Sequence, residues 1–139
     1  MSTGPQTTRL EKDSMGTKEI PADVYYGIQT LRAVENYPIS GMKAHPTLIR
    51  AFGKVKRAAA EANKELGLVD DRRADAIIRA AQEVIDGKWD PQFVVDVFQA
   101  GAGVSFHMNS NEVIANRAET RPPRTADPIF HQSLPGRRG

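Results

Sequence analysis

Cysteine is absent from the 139 residues, which excludes a disulfide framework and any zinc site built on thiolates and suits a reducing, cytoplasmic setting. Long apolar runs are missing too. Nowhere do about 18 apolar residues follow one another, and the opening MSTGPQTTRLEKDSMGTKEI has no stretch of signal-peptide character. Neither a membrane partner nor a secretory route is expected. Strand signals are sparse, confined to scraps such as TKEIP, so the expected fold class is mainly α.

A basic stripe is also lacking, although the calculated pI is near 9.0. Residues 121–139 hold four arginines, Arg121, Arg124, Arg137 and Arg138, against one acid, Asp127. Subtracting these from the totals of 19 basic and 17 acidic residues leaves 15 and 16 in the rest of the chain. The basicity lies in the tail, where only Phe130 could stack on a base, so no nucleic-acid partner is expected.

What is present is helical periodicity and turn chemistry. Residues 1–14 read as a flexible N-terminus, and up to about residue 45 glycines and prolines break any long element, though Asp23 could cap a helix through VYYGIQTLRAVEN. From Pro46, a favoured first helical residue, Leu48, Phe52, Val55, Ala59, Ala62 and Leu66 form one apolar stripe that ends at Gly67. Asp70 and Asp71 suit the cap of a second helix, with Ala74, Ile77, Ile78, Ala81, Val84 and Ile85 as its stripe and Gly87 as its stop. Asp90 and Pro91 open a third segment in which Phe93, Val94, Val97 and Phe98 share a face. Three such stripes can bury one another in a small helical domain.

The segment GAGVSFHMNSNEVIANRA, Gly101 to Ala118, is different in texture. Gly101 and Gly103 permit positive φ, and Ser105 and Asn109 can accept from the N–H groups of a following helix. Such a turn fits either a capped helix start or a carboxylate-binding site at a helix N-terminus. His107, with no second ligand or acid beside it, reads as a hydrogen-bonded helix residue rather than a metal ligand or general base.

This segment resembles the first signature region of the aspartase/fumarase superfamily, where G-T-S-x-N-M-N-x-N-E-V-x-A-N-x-A is usual. Gly103, Ser105, Met108, Asn109, Asn111, Glu112, Val113, Ala115, Asn116 and Ala118 match. Upstream, Met15 to Gly41 is similar to the N-terminal segment of these enzymes, and the two blocks together span about residues 10–119. The wording YYGIQTLRAVEN leans towards aspartate ammonia-lyases, because the fumarase branch more often has tryptophan and glutamine at Tyr26 and Leu31.

The resemblance implies a small helical N-terminal lyase domain over 15–119 and reversible elimination of ammonia from L-aspartate to give fumarate, with no organic cofactor and no metal. It also implies a tetrameric enzyme acting on a small dicarboxylate. Gly103, Val104 and Ser105 would face the substrate, with Asn109, Asn111 and Asn116 holding the loop in a buried polar network. Arg32, Phe106, His107 and Asn109 are further candidates for shaping the site, Arg32 either electrostatically or through a structural salt bridge. Val104 stands where the family places a threonine, and loss of that hydroxyl donor would weaken carboxylate binding by about 1.5–3 kcal/mol. Phe106 and His107 replace smaller polar residues. The family's later motifs, among them the loop carrying the base serine, do not occur here, so the chain alone is expected to be inactive. Residues 120–139, TRPPRTADPIFHQSLPGRRG, do not resemble the family's continuation and read as a disordered or out-of-frame tail. Two other readings remain: a fumarate hydratase-type fragment, and a non-enzymatic helical module that docks on an intact lyase through Phe52, Val55, Phe93 or Phe98.

Overall fold

A computed structural model describes residues 7–119; the tail, with the expectation of its disorder, and Met1–Gln6 lie outside the described residues. The chain begins with an antiparallel hairpin of β1 (Thr8–Asp13) and β2 (Gly16–Pro21), in which Thr8 lies opposite Pro21 and Asp13 opposite Gly16. Residues 8–13 therefore hold a strand where a flexible terminus was expected. The reason is that β1 turns Arg9, Glu11 and Asp13 inward, so no apolar alternation marks it. Each inward charge has partners. Arg9, 6 % exposed, bonds Glu11 and the carbonyls of Pro21, Val24 and Tyr26 at 2.7–2.9 Å, a satisfied buried cation rather than a costly one. The TKEIP scrap does lie in a strand, β2.

Four helices follow among the described residues: α1 (Ile28–Asn36), α2 (Pro46–Glu65), α3 (Asp71–Ile85) and α4 (Val104–Ala118). The expected boundaries of α2 and α3 hold. Pro46 is the first residue of α2, the Asp70 side chain accepts from Arg73 N–H, and Gly67 and Gly87 take positive φ just past the two ends. Helix α1 starts later than Asp23, at Gly27, for a reason given below.

The face of α2 differs from the expected stripe. Leu48, Val55, Ala59, Ala62 and Leu66 are exposed, whereas Ile49, Gly53 and Ala60 are buried and Phe52 is half-buried. A Cβ on Gly53 would stand 2.9 Å from Ile85 Cγ1, so α2 approaches α3 closely at Gly53. With apolar residues on two neighbouring lines, periodicity alone cannot select the inner one.

The third segment, opened by Asp90 and Pro91, does not form the expected helix. A short 3-10 turn at Asp90–Gln92 gives way to extended chain with Phe93 and Val95 buried, and Lys43 and Asp96 form an antiparallel bridge. Val97 and Phe98 point out. Asp96 explains the departure. Its buried carboxylate accepts from Ser40 N–H, Ser40 Oγ, Gly41 N–H and Phe98 N–H at 2.7–2.9 Å, tying the segment to the turn after α1. Burial pushes this carboxyl up, but those hydrogen bonds outweigh it and hold it well below the usual carboxylate range. The core comprises Ile49, Ala80, Ala81, Val84, Phe93, Phe106, Val113 and Ile114, so α4 packs as a central element beside the α2–α3 hairpin.

Candidate functional site

The start of α4 is built by two consecutive residues in the left-handed region, Ala102 (φ 60°) and Gly103 (φ 68°). Gly103 does what its lack of a side chain allows. The second left-handed position falls on Ala102 rather than Gly101, where a Cβ makes it cost about 1–2 kcal/mol. The first helical residue, Val104, is 53 % exposed and the next, Ser105, only 7 %.

The capping differs from expectation. Neither Ser105 nor Asn109 caps α4; Gln99 does, its Oε1 accepting from Phe106 N–H at 2.7 Å while its Nε2 donates to Asp96 O. Gln99 gave no sequence signal, because it lies well before the first helical residue, Val104. The amides of the motif serve as staples. Asn109, fully buried, donates to Gln92 O and accepts from Val94 N–H, both at 3.0 Å. Asn116 donates to Tyr25 O at 2.7 Å, and Asn111 lies 3.7 Å from Met108 Sδ. Asn109 and Asn116 thus bond the two irregular segments that cross α4 rather than the 101–103 loop they were expected to hold, and Asn111 reaches no farther than its own helix.

Glu112 explains the late start of α1. Its carboxylate accepts from Gly27, Gln29 and Thr30 N–H at 2.8–3.0 Å and from Thr30 Oγ1. Glu11 takes Ile28 N–H at 2.8 Å. Two carboxylates from remote elements therefore occupy one helix N-terminus, where the dipole favours negative charge. A Cβ at Gly27 would lie 2.8 Å from Glu112 Cδ, so a larger residue there would have to push the carboxylate aside.

The other candidates fall in separate places. Phe106 is buried edge-on against Phe52 (centroids 4.8 Å apart) and beside Phe93 (5.6 Å), so it belongs to the core. Arg32 pairs with Asp13 through two bonds of 2.8 and 2.9 Å; this contact holds the Asp13 carboxyl below its ordinary value and joins α1 to the hairpin. His107, like Val104, is exposed next to the turn. Its Nε2 lies 2.6 Å from Lys56 Nζ, a partner that nothing in the sequence indicated. Burial, with the Lys56 charge second, lowers the affinity of the ring for a proton, and burial does the same for Lys56. Among the described residues no helix is long and apolar enough to cross a membrane.

Hairpin, helical pair and amide-stapled α4 together define a helical domain in which the start of α4 carries no acidic cap. The chain belongs to the lyase family, whose model matches residues 16–131, and its similarity to aspartate ammonia-lyases and class II fumarases places it in the aspartase/fumarase superfamily. An aspartate ammonia-lyase from a Bacillus species is 59 % identical over 110 residues, covering 79 % of this chain and 24 % of the relative. A class II fumarate hydratase of Halobacterium salinarum is 62 % identical over 110 residues, covering 79 % and 23 %. In three dimensions the chain is similar to a Brucella melitensis fumarate lyase:delta crystallin structure, with TM-score 0.81, 52 % identity and coverage of 84 % and 28 %. The chain thus spans about a quarter of the length of the curated relatives it matches.

Proposed function

We propose that this chain serves a lyase that converts L-aspartate to fumarate and ammonia, and that Gly103, Val104 and Ser105 form one wall of its dicarboxylate site. The observation that carries this reading is the open start of α4: two left-handed residues lead into a helix whose first residue, Val104, is exposed and whose internal cap, Gln99, takes the Phe106 N–H. Helix starts of this kind favour anions. The elimination places negative charge on a substrate carboxylate, which donors fixed at a helix start can stabilise.

The relative named aspartate ammonia-lyase and the YYGIQTLRAVEN wording support release of ammonia. A second reading, water in place of ammonia, is supported by the 62 % identical relative named fumarate hydratase. Both reactions also need a base. His107 Nε2 lies against Lys56 Nζ, and the Asn109 amide is not a base, so the reading assigns proton abstraction to residues contributed from elsewhere in an assembled enzyme, as in a tetramer.

Ultraviolet detection of fumarate, from L-aspartate and separately from L-malate, tests this with the purified chain alone and mixed with an intact lyase subunit. The expected result is silence alone and a changed rate from aspartate in the mixture. A change confined to malate favours the hydratase reading. Turnover by the 139-residue chain alone contradicts the assignment of the base, and an unchanged rate in both mixtures contradicts the lyase reading.

A further inference from the structure

Lys56 on α2 and His107 in the first turn of α4 touch at 2.6 Å, and the His107 ring lies against Phe52 with centroids 6.5 Å apart. Two basic groups in contact stand apart from the ion pairs made elsewhere on these helices. Arg57 is held by Glu61, Lys64 by Asp75 and Arg117 by Glu83, at 2.6–2.8 Å. The acid of α4, Glu112, is committed to the start of α1. Among the described residues no carboxylate is paired with Lys56 or His107, and the charge acting on His107 is that of Lys56. Val104, three residues before His107 and therefore on the same helix face, is exposed beside them.

We propose that Lys56 and His107 form a proton-linked subsite for a small carboxylate next to the α4 turn. With Lys56 charged, the present contact requires the His107 lone pair on Nε2 and its proton on Nδ1. Protonation of the ring turns that acceptor into a donor, and the two cations then repel. A carboxylate placed between them accepts from both Lys56 Nζ and His107 Nε2–H, and the positive end of α4 adds to the attraction. Proton uptake by His107 and carboxylate binding therefore strengthen one another. The identity of the anion rests on the dicarboxylate reading above; the pairing of the two bases does not.

The test is a magnetic-resonance titration of the His107 ring in the 139-residue chain, with and without succinate and with inorganic phosphate in a parallel arm. Without anion the ring titrates below an ordinary histidine. Saturating succinate should raise its midpoint by about one pH unit, equivalent to about tenfold tighter binding to the protonated form. Lys56→Met should abolish this shift and Lys56→Arg should retain it. A midpoint indifferent to succinate, or a shift that survives Lys56→Met, overturns the subsite, and an equal response to phosphate overturns its carboxylate preference. The backbone amides of Gly103 to Ser105, followed in the same titration, separate the two ideas. A ring response without amide response leaves the subsite standing and removes the turn from the dicarboxylate site; the converse removes the subsite alone.

Discussion

Two helix starts in this protein meet the same physical demand in opposite ways. At α1 the first N–H groups are taken by Glu112 and Glu11, carboxylates that arrive from α4 and β1 and lie so close that a Cβ at position 27 would have to displace one of them. At α4 a left-handed turn exposes Val104, and an uncharged side chain, that of Gln99, takes one N–H. A helix start closed by the protein's own acids is architecture; one left without an anion is where an external carboxylate can be received. The motif Asn109 to Asn116 links the two, because the helix that begins at the open end carries Glu112 to the closed one.

Breaking the closed end should have the largest effect. Glu112→Ala leaves several donors at the start of α1 without an acceptor and should cost about 3 kcal/mol in urea unfolding. Gly27→Ala forces Glu112 or Glu11 away and should cost about 1–3 kcal/mol by the same measurement. At the open end, Val104→Thr restores a hydroxyl beside the turn; calorimetry should show succinate binding strengthened about tenfold, with little change in stability. The smallest effect is expected for Ala102→Gly, where relief of the left-handed strain exceeds the added freedom of the unfolded chain by about 0.5 kcal/mol.

A pH prediction tests the fixed acid of the neighbouring loop. The folded Asp96 carboxyl lies well below its ordinary value, so its contribution is complete above the unfolded pKa, about 4, and is lost as pH falls towards the lower folded value. Asp96→Asn should flatten the acid limb of a stability-versus-pH curve; an unchanged slope would show that Asp96 contributes nothing to it.

The sequence showed these features unevenly, for physical reasons. Helices α2 and α3 were legible because Pro46, Asp70, Gly67 and Gly87 are local signals whose meaning does not depend on distant partners. The inner face of α2 was not, since Gly53 faces inward only because Ile85 and Val84 lie close above it. Strand β1 was hidden by its charged inner side, and the extended run from Phe93 to Phe98 by an apolar spacing that suits a helix equally well. That the amides of α4 make hydrogen bonds was readable, but their targets, Gln92, Val94 and Tyr25 rather than the loop, are tertiary facts. The Lys56–His107 contact spans 51 residues and had no local trace.

The most direct measurement of the contrast between the two helix starts is an amide chemical-shift titration of the 139-residue chain with succinate. Saturable shifts at Gly103, Val104 and Ser105, with Gly27 to Thr30 unmoved, are the expected result. Shifts at Gly27 to Thr30, or none at Gly103 to Ser105, would contradict the claim that the α4 turn is the open anion site and the α1 start the closed one.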